Sequence, residues 1–129
     1  MEEQINFKIV LIGESSVGKT CIIQRYAHNI FNSFQISTVG TNSFYKIIKI
    51  NNEIKVKFEL WDTAGQERFR ALGKIFYNDS DVCIFVYDIT NKISFEQIKN
   101  YWIKEVKDNI KENASKIFYN LFSFCFGWK

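Results

Sequence analysis

The segment from Gly13 to Thr20 limits the fold of this sequence more than any other, because it reads G-x-x-x-x-G-K-T. An almost unbroken apolar run from Phe7 to Ile12 precedes it and predicts a buried strand. Apolar residues at helical spacing follow it and predict a helix from about Gly18 to Asn29. Strand, glycine-rich loop and helix are the context in which this pattern holds phosphate groups, since the loop N–H groups and the positive helix end face one anion.

The loop also carries side chains suited to phosphate and to a metal ion. Lys19 places a positive charge at the β- and γ-phosphates, and the Thr20 hydroxyl can ligate Mg²⁺. Cys21 lies in the first helical turn, where a thiolate is favoured, although a plain packing role is the simpler interpretation. A chance glycine-rich turn would not explain the flanking strand and helix. The residues expected to contact the ligand here are Gly13, Ser15, Ser16, Val17, Gly18, Lys19, Thr20 and Cys21.

Composition restricts the class of protein further. The 129 residues allow one domain with one modest core, and an apolar content of 47% is typical of a globular chain. A formal net charge of +3 is too small to indicate a nucleic-acid partner. The cysteines have no metal-ligand spacing and suit a reducing compartment. The acidic N-terminus shows no signal peptide, and no apolar run approaches the roughly 18 residues that a membrane span needs.

Two further strands are predicted to form a hairpin. The stretches from Phe44 to Ile50 and from Ile54 to Trp61 flank a turn at Asn51 and Asn52. The second stretch alternates apolar and polar residues, which is typical of an antiparallel strand with one polar face.

The remaining pattern alternates helices with strands. The run from Val82 to Asp88 is apolar almost throughout, as in a central parallel strand. Ser94 and Gln97 form a capping-box pattern, which predicts a helix with one face made of Ile98, Tyr101, Trp102, Val106 and Ile110. The stretch from Glu67 to Tyr77 predicts a short irregular helix, and that from Lys116 to Phe126 a last strand. We therefore expect an α/β fold of the P-loop NTPase type, a three-layer sandwich whose mainly parallel sheet contains one antiparallel hairpin strand.

A second set of chemical groups follows the third predicted strand, in the run WDTAGQE that begins at Trp61. Asp62 is a carboxylate at a strand end near the phosphate loop, where it can hold Mg²⁺ through a water. Gly65 allows its backbone N–H to approach a γ-phosphate. Gln66 has a donor and an acceptor and can orient a water for in-line attack, so it is the candidate catalytic residue.

Together these residues resemble the small GTPases of the Ras superfamily, and most closely the Rab branch. The resemblance rests on residues 13–20, 36–40, 61–70 and 86–90, and it extends over about residues 6–116. The run WDTAGQERFR in particular points to Rab rather than to Rho or Arf. The resemblance implies a switch that binds GTP or GDP with Mg²⁺, hydrolyses GTP to GDP and regulates vesicle traffic.

The resemblance also implies roles for individual residues. Phe31 would stack on the guanine ring, and the segments from Asn32 to Thr41 and from Glu67 to Tyr77 would be the two switches. Exchange factors, GTPase-activating proteins and effectors would bind there, and loss of the γ-phosphate would release both segments. The implied Mg²⁺ ligands are Thr20, Thr38 and Asp62.

The sequence departs from the family in its later part. It lacks the Asn-Lys-x-Asp run with which the family reads guanine. Residues 91–94 imitate that run, but a serine cannot accept both guanine hydrogen bonds, and we interpret them as a helix-entry turn. The resemblance ends after Ile117, which divides the chain into a partial GTPase domain, residues 1–117, and a divergent aromatic tail, residues 118–129. We therefore expect a fold that is incomplete at its C-terminal side and has no prenylation motif.

These departures leave a second functional hypothesis open. The chain would then be a truncated, non-catalytic remnant that binds nucleotide weakly or not at all. A different P-loop enzyme, such as a small-molecule kinase, is a third hypothesis, and the Asp-Thr-Ala-Gly-Gln run argues against it. For all three we expect a cytoplasmic protein, whereas the family acts on endomembranes through a lipid anchor.

Overall fold

A mixed five-stranded sheet forms the centre of the computed structural model, which describes residues 3–65, 75–76, 79–109 and 117–123 (the last segment by its backbone). The strands lie side by side in the order β2-β3-β1-β4-β5. Their bounds are Glu3–Ile12 for β1, Thr41–Lys49 for β2, Ile54–Thr63 for β3, Val82–Asp88 for β4 and Ile117–Ser123 for β5.

All neighbouring strands except one pair run parallel. β1 pairs in parallel with β3 and β4, and β4 pairs in parallel with β5. Only β2 is antiparallel to its neighbour β3, and the hairpin turn is fixed by Asn51 Oδ1, which accepts from the backbone N–H groups of Glu53 and Ile54, each at 2.8 Å. This arrangement confirms the predicted fold class of a mainly parallel sheet with one antiparallel hairpin strand.

Two strands begin earlier than their apolar patterns predict. β1 starts at Glu3 rather than at Phe7, because Glu3 to Asn6 pair in register with the first residues of β3. β2 starts at Thr41 rather than at Phe44, because Thr41 to Ser43 pair with the end of β3. Backbone pairing with a neighbouring strand extends these polar ends, which side-chain periodicity alone does not reveal.

The helices lie where the sequence predicts them, but the second one is not a continuous α-helix. α1 spans Lys19–His28 and is flanked by Gly18 and Asn29, both in the left-handed region. The second helical segment has three parts, listed here with their bounds: α2 (Lys92–Gln97), a π-helical turn (Ile98–Trp102) and α3 (Ile103–Asp108).

The start of α2 corrects the capping-box prediction. Asn91, not Ser94, is the N-cap residue, and its Oδ1 accepts from the backbone N–H of Ile93 at 3.1 Å. Ser94 lies inside the helix, is 1% exposed, and its hydroxyl donates to the Asn91 carbonyl at 2.7 Å and accepts from the Asp88 N–H at 3.0 Å. Residues 91–94 therefore form a helix-entry turn, as the sequence interpretation held.

Asn91→Ala is expected to lower the free energy of unfolding by about 1 kcal/mol, because the substitution removes the oxygen that accepts from the Ile93 N–H. Denaturant unfolding followed by far-UV circular dichroism measures the change. The matched control is Asn100→Ala, since Asn100 is exposed within the same helical segment. Equal losses in the two variants, or none in Asn91→Ala, would contradict the cap.

Two apolar clusters cover the two faces of the sheet and make the three layers. On one face the π-helical turn and α3 contribute Ile98, Trp102 and Val106, which are at most 2% exposed and pack with residues of β1 and β4. On the other face Ile23 of α1 packs with Val17 and with Leu11 of β1. The phosphate-loop residue Val17 is therefore part of the core that holds α1 against the sheet.

Some sequence predictions concern residues outside the described part. Of the predicted helix from Glu67 to Tyr77, the structure describes Ile75 and Phe76, both helical, and the Phe76 ring lies 5.0 Å from the Trp61 ring. β5 lies within the predicted last strand. The predicted division at residue 117 stays a prediction.

Candidate nucleotide-binding site

The phosphate loop leaves the end of β1 in close contact with β4. A Cβ atom on Gly13, whose φ is +155°, would overlap the Val86 carbonyl oxygen, so this position requires glycine. The loop then turns through Ser16 and Gly18, with φ of 63° and 96°, and enters α1 at Lys19. The strand, loop and helix that the motif requires are thus all present.

Lys19 is held at the base of this loop by main-chain oxygens. Its Nζ donates to the Gly13 carbonyl at 3.0 Å and to the Glu14 carbonyl at 2.6 Å, and the residue is only 5% exposed. Burial of an ammonium group is costly unless its N–H groups are satisfied, and these carbonyls provide two acceptors. The charge is therefore fixed beneath the loop rather than left on a mobile side chain.

Three side-chain oxygens from separate parts of the chain meet beside Lys19. The Thr20 hydroxyl donates to Asp62 Oδ2 at 2.5 Å, and the Thr38 hydroxyl donates to the same oxygen at 3.1 Å. The two hydroxyl oxygens are 2.9 Å apart. These are the three residues that the resemblance named as Mg²⁺ ligands, and the structure brings them together.

The oxygen cluster fits a small divalent cation. Ligands at about 2.0–2.1 Å on adjacent corners of an octahedral Mg²⁺ lie about 2.9 Å apart. The hydroxyl oxygens of Thr20 and Thr38 have this spacing, and Asp62 Oδ2 lies within 3.1 Å of both. Asp62 is fully buried, and its other oxygen, Oδ1, has no hydrogen-bond partner among the residues that the structure describes. A buried carboxylate oxygen without a donor is a natural acceptor of a metal ion or of its water.

The environment of Asp62 without a cation disfavours its charged form. Burial is the largest cause and raises the pKa of Asp62 above its usual value. Hydrogen bonds from Thr20 and Thr38 and the charge of Lys19 oppose this shift and do not cancel it. The carboxylate therefore gains most when a positive ion is bound beside it.

Gly65 joins the phosphate loop to the segment that follows β3. A Cβ atom on Gly65 would overlap the backbone of Glu14 and Ser15, so the two segments touch main chain to main chain. The neighbouring Ala64 N–H donates to the Gly40 carbonyl at 3.0 Å. The segment around residue 65 thus contacts both the phosphate loop and the segment around residue 40.

The cleft has a volume of about 240 Å³, and most of the predicted ligand-contacting residues line it. Those that do are Ser15, Ser16, Gly18, Lys19, Thr20, Cys21, Phe31, Thr38 and Gly65. Gly13 and Val17 do not line it, because Gly13 lies against β4 and the Val17 side chain is in the core. Their contact with a ligand stays a prediction, and the catalytic candidate Gln66 lies outside the described residues.

The environment of Cys21 favours the neutral thiol, whereas a helix start can favour the thiolate. Burial, followed by the negative charge of Asp62, raises the pKa of Cys21. Its Sγ lies 3.9 Å from the Asn32 carbonyl oxygen, at the edge of the cleft. Cys21 therefore lines the cleft as a neutral thiol.

Some residues of the site were not identified from the sequence. Ser33, Gln35, Ile36, Ser37 and Thr63 also line the cleft. The first four belong to the segment predicted to bind partners, so that segment contributes to the cleft as well. The Trp102 side chain, predicted only as core, reaches the phosphate loop and donates to Glu14 Oε1 at 2.7 Å.

A buried lysine beneath a glycine loop, at the start of a helix and beside oxygens that fit a divalent cation, is the arrangement of the P-loop NTPase fold. The model of the Ras family matches residues 8–120. The chain belongs to the Ras family.

Relatives of the chain include Rab proteins. Ras-related protein Rab-13 of Rattus norvegicus is 43% identical over 111 residues, which are 86% of this chain and 54% of that protein. Ras-related protein Rab-21 of Homo sapiens is 48% identical over 102 residues, which are 79% of this chain and 44% of that protein. The chain therefore spans about half the length of these relatives. Among the helices that the structure describes, none is long and apolar enough to cross a membrane.

Proposed function

We propose that this chain is a Rab-type molecular switch that binds GTP or GDP together with Mg²⁺ in the cleft over Lys19. The observation that carries the proposal is the meeting of Thr20, Thr38 and Asp62 oxygens next to that buried lysine. A buried cation beside a divalent-metal site is the arrangement that neutralises the β- and γ-phosphates of a nucleoside triphosphate. Bound Mg²⁺ would supply further charge neutralisation at those phosphates.

Thr38 is the residue through which the proposed switch segment contacts the site. Its hydroxyl contacts Thr20 and Asp62, whereas its neighbours Ile36 and Val39 are 82% and 69% exposed. The Thr38 hydroxyl therefore ties the middle of a largely exposed segment to the site. Loss of the γ-phosphate would weaken that contact and release the segment from Asn32 to Thr41, which partners would read as the inactive state.

The same segment is the proposed surface for regulators and effectors. Phe34 is 89% exposed, and Ile36 and Val39 are further exposed apolar side chains of an otherwise polar loop. Exposed apolar groups of this kind are typical of protein-binding sites. Exchange factors, GTPase-activating proteins and effectors are proposed to bind here and at the segment from Glu67 to Tyr77, on the surface of endomembranes that Rab proteins regulate.

Gln66 is proposed to orient the attacking water during GTP hydrolysis. Gln66→Leu keeps the size of the side chain and removes its donor and acceptor, so the rate of a single turnover is expected to fall at least about tenfold. Affinity for GTP and Mg²⁺ is expected to stay unchanged. Quenched-flow measurement of phosphate release from the bound nucleotide tests this, with Gln4→Leu, on the exposed start of β1, as the control. Equal rates in Gln66→Leu and the unsubstituted chain would refute the role.

Base selectivity separates the switch from the non-catalytic alternative. The sequence has no Asn-Lys-x-Asp run, and Asn91 of the imitating run caps α2. The test is a titration of the chain with fluorescent GDP in Mg²⁺, followed by competition with unlabelled GTP and ATP. Displacement by GTP and not by ATP supports the switch. Equal displacement supports a phosphate-binding remnant, and absence of binding overturns the proposed function.

A further inference from the structure

Glu14 is a carboxylate inside a loop that is built for anions. Its side chain does not line the cleft, whereas the next two residues, Ser15 and Ser16, do. Instead, Glu14 Oε1 accepts a hydrogen bond from the Trp102 indole Nε1 at 2.7 Å. A carboxylate that turned toward bound phosphates would repel them strongly in a partly desolvated site. The direction of this side chain therefore matters for phosphate binding.

A local distortion of the helix presents the Trp102 indole to the loop. Trp102 ends the π-helical turn, in which the Ile103 N–H donates to the Ile98 carbonyl across one more residue than in an α-helix. Ile98, Trp102 and Val106 all face the sheet and are at most 2% exposed. π-helical turns of this kind occur often at functional sites, because the extra residue changes the direction of one side chain.

The main chain of Glu14 links this contact to the binding residues. Its carbonyl accepts from Lys19 Nζ at 2.6 Å, and Gly65 lies directly against its backbone. A change in the position of Glu14 would thus move an acceptor of the buried lysine and the contact with Gly65 together.

We propose that Trp102 is a positioning residue for the phosphate loop, whose indole N–H holds the Glu14 carboxylate against the helix and away from the phosphates. The inference rests on the proposed nucleotide binding at this site. Trp102 acts through Glu14 and needs no contact with the ligand.

The test is a pair of substitutions whose effects depend on each other. Trp102→Phe removes the N–H donor, so affinity for fluorescent GDP in Mg²⁺ is expected to fall about tenfold. Adding Glu14→Gln removes the charge that would turn toward the phosphates and is expected to restore affinity to within about threefold of the unsubstituted chain. Val106→Ala is the matched control, because it removes packing from the same buried helix face. It is expected to lower stability and leave affinity unchanged.

The outcomes separate this inference from the proposed function. If the unsubstituted chain binds GDP and Glu14→Gln fails to restore Trp102→Phe, Trp102 is only a packing residue and the inference is wrong while the proposed function stands. An unsubstituted chain that binds no nucleotide overturns the proposed function and this role with it.

A second measurement covers the case in which Trp102→Phe does not fold. The indole N–H proton of Trp102 is followed by NMR in the unsubstituted chain and in Glu14→Gln, with the exposed Glu96→Gln as the control. Glu14→Gln is expected to shift this resonance and speed its exchange with solvent, and Glu96→Gln to do neither. An unchanged resonance in Glu14→Gln would overturn the inference.

Discussion

Lys19→Ala is expected to lower the affinity of the chain for GDP and GTP about a thousandfold, the largest effect of any single substitution here. Lys19 is 5% exposed, and loop carbonyls fix its ammonium group beneath the cleft. Loss of one member of a buried, hydrogen-bonded charge pair costs about 4 kcal/mol, which corresponds to a factor of about 10³ in affinity. No other described lysine lines the cleft and could replace it.

Equilibrium titration with fluorescent GDP measures this loss, provided that far-UV circular dichroism shows the variant to be folded. Lys104→Ala is the matched control, since Lys104 is exposed on α3 and its loss changes the net charge equally. Affinity in Lys104→Ala should change by less than about twofold. Unchanged GDP affinity in Lys19→Ala would contradict the assignment of the phosphate loop.

Sequence alone predicts those parts of the site whose residues are close together in the chain. From Gly13 to Thr20 the residue spacing sets the strand, the turn and the helix start, and the structure has all three. The residues alone also predict a role for Asp62, because it directly follows an alternating strand. Its position follows from the sheet: β3 pairs with β1 so that Asp62 lies opposite Leu11, just before the loop.

The contact of Thr38 with Thr20 and Asp62 could not be derived from periodicity. Thr38 belongs to a segment without regular structure, and only the resemblance to a family suggested its role. The structure explains it through the hairpin, because β2 begins at Thr41 opposite Thr63 and thereby brings the preceding residues to the end of β3. Local sequence does not encode such a contact between a loop and a strand end.

The sequence does not predict the contact between Glu14 and Trp102, which are far apart in the chain. Glu14 and Trp102 meet because a π-helical turn redirects one residue of a helix whose periodicity indicates only a buried face. The cap of α2 was assigned to Ser94 because the capping-box pattern is present there. Asn91 takes the role because its side chain reaches the Ile93 N–H, while Ser94 is buried against β4.

Asp62→Asn is expected to stabilise the nucleotide-free chain and to weaken its binding of Mg²⁺, two effects of opposite sign. Burial, the largest cause, raises the pKa of Asp62 in the folded state. Folding therefore favours the protonated form, and the charged form lowers the free energy of unfolding when no cation is bound. This destabilisation is absent below the unfolded pKa of about 3.9, grows as the pH rises from there, and is complete above the higher folded pKa.

An asparagine keeps the shape of the side chain and an oxygen that can accept from Thr20 and Thr38, but it carries no charge. At pH 7.5, without Mg²⁺ or nucleotide, Asp62→Asn should raise the free energy of unfolding by about 1 kcal/mol. The difference from the unsubstituted chain should shrink as the pH falls through the raised folded pKa of Asp62 and disappear below the unfolded pKa, where Asp62 is protonated in both states. Denaturant unfolding at several pH values measures both results.

The same substitution should make Mg²⁺ bind about 10–100-fold more weakly, seen as a higher Mg²⁺ concentration needed for tight GDP binding. Asp88→Asn is the matched control, because Asp88 also ends a strand, where its Oδ1 accepts from the Thr90 N–H at 2.8 Å and from the Thr90 hydroxyl at 2.7 Å. Asp88→Asn should leave the Mg²⁺ requirement unchanged. A stability gain without a change in the Mg²⁺ requirement would show that Asp62 is a buried acid outside the metal site. Loss of stability in Asp62→Asn would mean that the hydrogen bonds of the carboxylate outweigh the cost of its burial. A gain in stability together with a loss of Mg²⁺ affinity therefore identifies Asp62 as a carboxylate that requires a cation.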